Sequence, residues 1–289
     1  MPVDENPAMS RYDDYLVGPE WLAGHLTDPN LRVCDCRFTG DPGSSRQAYL
    51  DGHLPGAVYS DWLNELCADD IRVTTFLPPP EKAASALGRL GITADTDVIA
   101  YADNASLYAT RLWHVLRHYG HTRVRLLDGG LEAWLTAGHT LDTGQVVAQP
   151  GTFRPDTSQK TVTATELHDR LHDPSLQILD VRSAAEYDGV TVRAARGGHI
   201  PAAILLPWDD LTDHAGSYLD ARRLRDRFRQ AGLDPAREIV TYCQGGIRAA
   251  HTAVALHVAG YDRVRIYDGS WAEWGNDPAL PIAVPLRTP

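Results

Sequence analysis

The chain repeats itself once, and the length of the repeat is its strongest constraint. Asp35-Cys36-Arg37, followed by Gly52-His53-Leu54-Pro55-Gly56-Ala57, is answered by Asp180-Val181-Arg182, followed by Gly198-His199-Ile200-Pro201-Ala202-Ala203. Further along, Leu127-Asp128-Gly129-Gly130-Leu131-Glu132-Ala133-Trp134 is answered by Tyr267-Asp268-Gly269-Ser270-Trp271-Ala272-Glu273-Trp274. The offset is 146 from His53 to His199, 141 from Tyr101 to Tyr242, and 140 from Gly120 to Gly260 and from Trp134 to Trp274. Solenoid units run to about 20–50 residues, so a period near 140 denotes a duplicated domain. With 289 residues the chain has room for two such domains, each with its own core.

Within each half, short apolar runs alternate with helical patterns. Strands are expected near Leu31-Arg32-Val33, 97–101 and 123–127, and again near 177–181, 238–242 and 263–267. Helices are expected near 80–90, 107–119 and 130–137, then near 163–172, 220–231, 247–259 and 270–275. Strands and helices alternating at this spacing predict an α/β chain of two tandem domains, each a mainly parallel sheet flanked by helices. Thr143-Gly144, Pro150-Gly151 and Pro155 break the periodicity, which suggests residues 1–140 and 161–289 as the domains and 141–160 as the linker.

Composition narrows the function classes. A hydrophobic content of 43% and a charged content of 22% are ordinary for a folded chain. The formal net charge of −11 argues against nucleic acid and anionic membrane surfaces as partners, so any anion site has to be built locally. Four cysteines, none in a C-x-x-C pair, suit reduced thiols in a cytoplasmic protein. Met1-Pro2-Val3-Asp4-Glu5-Asn6 has neither the basic nor the apolar part of a signal peptide, and no apolar run is long enough to span a membrane.

The chemistry concentrates in Cys243-Gln244-Gly245-Gly246-Ile247-Arg248, between the apolar strand ending at Tyr242 and an alanine-rich helix. A thiol at a strand-to-helix junction meets the free N–H groups and the positive end of the helix dipole, which favour the thiolate. The two glycines allow positive φ, so that successive N–H groups can turn inward as an anion cradle. A cysteine at a strand end is more commonly plain core, and the glycine pair with Arg248 is what reverses that preference here. In parallel sheets ligands sit at the carboxyl ends of strands, where Cys243 falls.

The duplication supplies an internal comparison. Aligning Tyr101 with Tyr242 puts Ala102 opposite Cys243, and the loop Ala102-Asp103-Asn104-Ala105-Ser106-Leu107-Tyr108 has no thiol, no glycine and an acidic residue. The first half is therefore expected to be catalytically silent and to serve as packing and as a wall of the other half's site.

Both halves resemble rhodanese domains, and the chain from about Tyr15 onward is similar to the tandem-domain sulfurtransferases that act on thiosulfate or 3-mercaptopyruvate. The resemblance rests on the Cys243 loop, the paired Asp-x-Arg and His-[Ile/Leu]-Pro-x-Ala signatures, and the two Asp-Gly-[Gly/Ser] turns followed by Trp. It implies an inactive first copy and an active second one. It further implies attack of the Cys243 thiolate on the outer sulfur of a small donor, a persulfide cradled by the N–H groups of Gln244, Gly245, Gly246, Ile247 and Arg248, and its removal by cyanide, a thiol or a protein acceptor. No cofactor and no metal is called for.

For the donor's charge the candidates are Arg248 and Arg182. Arg248 could face the substrate or secure the loop. Arg182 matches the family's anion-binding Asp-x-Arg arginine, but could equally form a structural salt bridge to Asp180 or Glu186. Arg193 and Arg196 lie in a nearby glycine-bearing loop and by default face solvent. The family's thiosulfate-preferring members tend to carry basic residues after the cysteine, and its mercaptopyruvate-preferring ones Gly, a hydroxyl residue, then Gly. Gln244-Gly245-Gly246 is neither, and the missing hydroxyl inclines the reading toward thiosulfate.

Rival readings are weaker. Cysteine phosphatase loops place five residues between Cys and Arg, whereas four stand here, leaving less room for a tetrahedral phosphate. A sulfur-carrier or regulatory module would lack multiple turnover. Cys34 and Cys36 read as core, His114 and His118 lack a metal motif, His53 and His199 sit in repeated turns, and Trp134 and Trp274 read as core.

Overall fold

A computed structural model describes residues 11–70 and 72–284. The Met1–Asn6 segment considered above lies outside them. The first half forms a five-stranded sheet from β1 (Leu16–Val17), β2 (Leu31–Asp35), β3 (Val58–Tyr59), β4 (Asp97–Tyr101) and β5 (Val124–Leu127), in the order β1-β5-β4-β2-β3. The second half forms a four-stranded sheet from β6 (Leu176–Asp180), β7 (Ile204–Leu205), β8 (Glu238–Tyr242) and β9 (Val264–Ile266), in the order β7-β6-β8-β9. Every pairing is parallel. The central strands β4 and β8 are buried from their second residue to their last, as strands covered on both faces should be.

The strands and helices expected from periodicity lie where it puts them, but the helices Pro19–His25 and Pro42–Asp51 are not among those expected. The two-residue edge strands β1, β3 and β7 are too short to show any alternation, and only pairing reveals them. Between Thr136, where one helix ends, and Ala164, where the next begins, the chain carries no helix or strand, but it is not loose: Gly151 N–H bonds Gly88 O at 2.8 Å and Phe153 is buried.

The two halves share a core. The helices Ala109–His118 and Ile247–Val258 pack against each other, and each is buried almost all round. One hydrophobic cluster runs through both sheets and both helices, from Cys34 and Leu112 to Cys243 and Val254. No helix among the described residues is long and apolar enough to cross a membrane.

Across this interface the halves exchange aspartates. Asp268, in the turn after β9, accepts from the Arg111 guanidinium at 2.8 Å and from the Leu77 N–H at 2.5 Å. Its counterpart Asp128, after β5, accepts from the Tyr218 N–H at 2.8 Å and the Tyr12 hydroxyl at 2.6 Å. Leu77 and Tyr218 stand 141 apart, so the exchange is nearly two-fold symmetric.

A second repeated device ties the strand ends together. In the second half the Arg182 guanidinium donates to Asp180 and to Gly198 O, the Tyr242 hydroxyl donates to Asp180, and the Ile200 N–H donates to that hydroxyl. In the first half Arg37, Asp35, Gly52 O, Tyr101 and Leu54 N–H do the same. Burial and the adjacent aspartates push both phenols well above their usual range, so they remain neutral donors. A network present also in the copy whose loop lacks the cysteine does a structural job. Removing one partner of a buried pair costs about 3–5 kcal/mol. Arg37→Met and Arg182→Met should therefore lower the urea unfolding midpoint by similar amounts, and the folded Arg182→Met enzyme should keep its donor KM.

Candidate active site

Cys243 directly follows β8, and the helix Ile247–Val258 starts four residues later. Gly246 makes the turn at φ +86°, a conformation that strains any side chain, and a Cβ there would also stand 3.0 Å from Asp268 Oδ1. Its N–H points at the Cys243 Sγ, 3.1 Å away. Among the described residues, the N–H groups of Gln244, Gly245, Ile247 and Arg248 have no acceptor in the chain. The loop is pinned from behind by Cys243 N–H to Ser270 Oγ at 3.1 Å, Trp271 N–H to Cys243 O at 3.0 Å and Ala272 N–H to Gln244 O at 2.9 Å. The result is a fixed concave turn with N–H groups facing a thiol at a helix N-terminus, the arrangement that binds an anion.

Cys243 is 2% exposed and lines a cavity of about 570 Å³ between the two halves. Gln244, Gly245, Ile247 and Arg248 line it with Cys243, and Arg193 and Trp208 come from elsewhere in the second half. The first half supplies Arg72, Thr74, Thr75 and Tyr108.

Arg248 sits at the cavity wall with its guanidinium forked onto Glu186, at 2.7 and 2.9 Å. Burial works against the Glu186 charge, but the hydrogen bonds and charge of Arg248, with the Ser183 N–H and hydroxyl, outweigh it and hold the carboxyl down at about 2. Glu186 also closes a capping box with Ser183, so Arg248 moors the loop to the short helix Ala184–Tyr187. Of the two roles open to Arg248, securing the loop is thus occupied, while one face still borders the cavity.

Arg182, offered either to the substrate anion or to a structural salt bridge, is turned into the core and paired with Asp180. Its side chain is 1% exposed, its Nε and Nη2 are held by Asp180 and Gly198 O, and its guanidinium lies 4.5 Å over the Trp271 ring. It does not line the cavity. Arg193 does, with a side chain 62% exposed and only a 3.5 Å approach to Glu186. Arg196 faces protein and not solvent, clamping the carbonyls of Trp274, Gly275, Asp277 and Leu280. His53 and His199 repeat each other: each ring stacks on a tyrosine and bonds its carbonyl, through Tyr49 O and Tyr187 O, and neither reaches the cavity.

The equivalent loop of the first half is built differently. Asn104, Ala105 and Ser106 all have positive φ, and Leu107 N–H and Ala109 N–H bond back to Asn104 O and Ser106 O. These two N–H groups are turned back onto loop carbonyls, and the helix starts only at Ala109. Among the described residues no group of three or more His, Cys, Asp or Glu could hold a metal ion.

Several cavity residues escaped the sequence reading. Arg72, Thr74 and Thr75 lie in a segment with no periodicity, and only the fold brings them to the loop. Trp208 had a usable signal: it stands 146 after Trp62, the same offset as His53 to His199.

Both halves match the family described as Rhodanese-like domain, over residues 18–137 and 163–277. A probable 3-mercaptopyruvate sulfurtransferase of Pseudomonas aeruginosa is 36% identical over 277 residues, covering 93% of this chain and 97% of that protein. A thiosulfate sulfurtransferase of Corynebacterium glutamicum is 35% identical, covering 97% and 95%. The solved structure of SseA from Escherichia coli, described as a 3-mercaptopyruvate sulfotransferase, superposes with a TM-score of 0.80 at 32% identity, covering 89% of this chain and 98% of that one. With two matched domains and relatives similar over nearly its whole length, the chain belongs to the rhodanese family, as a tandem-domain sulfurtransferase of the thiosulfate/3-mercaptopyruvate group.

Proposed function

We propose that the protein moves a sulfane sulfur from thiosulfate, through a persulfide on Cys243, to cyanide or a small thiol. The observation that carries this reading is the Gly246 N–H 3.1 Å from the Cys243 Sγ, at the N-terminus of a 12-residue helix. There N–H groups and the helix terminus face the sulfur, an arrangement suited to an anionic sulfur. The thiolate attacks the outer sulfur of thiosulfate, the Cys–S bond forms as the S–S bond of the donor breaks, and sulfite leaves with the electron pair. Cyanide then attacks the terminal sulfur, thiocyanate leaves, and the thiolate returns. Charge is conserved in both steps, and no proton needs to move.

The persulfide would lie among the N–H groups of Gln244, Gly245, Gly246, Ile247 and Arg248, which act on it as an oxyanion hole acts on developing charge. Arg193 and Arg72 at the rim, with the open face of Arg248, suit a small dianion. Arg182 serves by position, holding the strand end that carries the loop. The first half, with Ala102 in place of the thiol, is read as catalytically silent. A second reading, 3-mercaptopyruvate as donor, is favoured by the names of the Pseudomonas and Escherichia relatives. The two exposed arginines at the rim, Arg72 and Arg193, suit the dianion thiosulfate better than a monocarboxylate and favour the first reading.

Three outcomes follow. Cys243→Ser should abolish turnover, and intact mass should register one added sulfur after thiosulfate treatment of the wild type but none on this variant. In parallel steady-state assays with cyanide as acceptor, kcat/KM for thiosulfate should exceed that for 3-mercaptopyruvate; the reverse order would assign the keto acid. The third concerns Glu186, whose pKa falls from its ordinary 4.5 to about 2 on folding. Its ion pair contributes stability that is complete above the ordinary value and is lost as pH falls through the folded one. The gap in urea midpoint between wild type and Glu186→Gln should accordingly be constant above about pH 5.5 and close progressively toward pH 2.

A further inference from the structure

The catalytic loop has no hydroxyl of its own, yet one stands against it. A Cβ built on Gly245 would overlap the Thr75 hydroxyl, which arrives from the first half of the chain. Thr75 lines the same cavity as Cys243, and its hydroxyl has no hydrogen-bond partner in the chain among the described residues. A side chain at 245 would thus have to displace the Thr75 hydroxyl, since the two compete for one space.

The near two-fold symmetry supplies a control. The position equivalent to Thr75 is Gly216, 141 residues on, and the position equivalent to Gly245 in the silent loop is Ala105. Gly216 lies against Ala105, with a Cβ built on it 3.4 to 3.5 Å from the Ala105 atoms. On the silent side, then, the strap has no side chain and the loop has one; on the thiol side the arrangement is reversed. The Gly–Ala pair shows that the strap packs on the loop without any hydroxyl, so packing does not account for Thr75.

We propose that Thr75 is the donor-recognising hydroxyl of the active site, supplied by the first half in place of a side chain on Gly245, and that it donates a hydrogen bond to an anionic oxygen of the sulfur donor. The chemistry is common to the sulfonate-type oxygens of thiosulfate and the carboxylate of a mercapto acid. The inference rests on Cys243 being the sulfur-accepting thiol.

The test separates the two half-reactions. In a mechanism with a covalent sulfur intermediate, kcat/KM for the donor reports sulfur loading and kcat/KM for the acceptor reports its removal. Thr75→Val keeps the shape and removes the hydroxyl. It should lower kcat/KM for thiosulfate or 3-mercaptopyruvate, whichever the wild type uses, by about tenfold, the loss expected for one hydrogen bond to a charged group, while kcat/KM for cyanide stays unchanged. Thr75→Ser should retain donor kcat/KM within about twofold. Gly245→Ser should be impaired by overlap with Thr75, and the pair Thr75→Gly with Gly245→Ser, which moves the hydroxyl onto the loop, should recover part of the donor constant. An unchanged donor constant in Thr75→Val, or equal falls in both constants, would overturn the assignment. If wild-type protein takes up no sulfur from either donor by intact mass, it is the Cys243 reading that fails; if it does and Thr75→Val behaves as wild type, only Thr75 is removed.

Discussion

The arrangement depends on two buried aspartates that cross between the halves. Asp268 and Asp128 each follow the last strand of their sheet and each bond a backbone N–H of the other half, Leu77 and Tyr218. Burial raises the pKa of both, and at Asp268 the Arg111 guanidinium opposes that rise. A carboxylate so buried would be costly unless paired and hydrogen-bonded, so the contact is met in one relative placement of the halves. That placement lays residues 72–77 over the Cys243 loop and closes the cavity. Asp268 also backs Gly246 directly, so the bond that holds the halves together supports the catalytic turn.

One frame carries two different loops because a few side chains have changed places. In the first copy Ser106, inside the loop, donates to Leu127 O at 2.8 Å and receives Ala102 N–H at 3.5 Å. In the second copy the same bridge, to Tyr267 O and from Cys243 N–H, is made by Ser270, which lies outside the loop. Gly130 and Gly246 occupy the vacated positions, 140 from Ser270 and Ser106. Moving the serine out lets position 246 be a glycine whose N–H faces the sulfur. The strain moves with it: Ser270 holds φ +51°, while Gly246 adopts its left-handed turn as glycine readily does. Tyr108, opposite Arg248 at the offset of 140, stacks on Trp62 and makes no ion pair.

What the sequence made legible follows the same physics. The duplication and the Cys243 loop were readable because they are local patterns whose spacing carries the chemistry. Arg182 was not, since Asp-x-Arg reads alike for a salt bridge and for an anion site; its repetition as Asp35-Cys36-Arg37 in the copy whose loop lacks the cysteine was the available clue. Arg72 and Thr75 were out of reach, because an aperiodic segment gains a role only when tertiary structure lays it on a distant loop. The edge strands β1, β3 and β7, two residues each, leave no periodic trace.

The charges at the cavity fix which cation can adapt to a ligand. Arg248 is forked onto Glu186, a pair largely removed from water and moored in turn to Ser183. Arg72 is paired with Asp70, but its side chain is 78% exposed, and such a pair is worth little in water and is screened by salt. Arg193 is 62% exposed and its approach to Glu186 is long at 3.5 Å. Glu186 thus meets two arginines with one charge, and Arg248 holds it by the shorter, bidentate contact. The surplus positive charge resides with Arg193, the group able to turn toward an incoming anion without leaving a buried carboxylate unpaired. In a chain of net charge −11, that local surplus and the fixed N–H groups of the loop are what make the site attractive to an anionic sulfur donor.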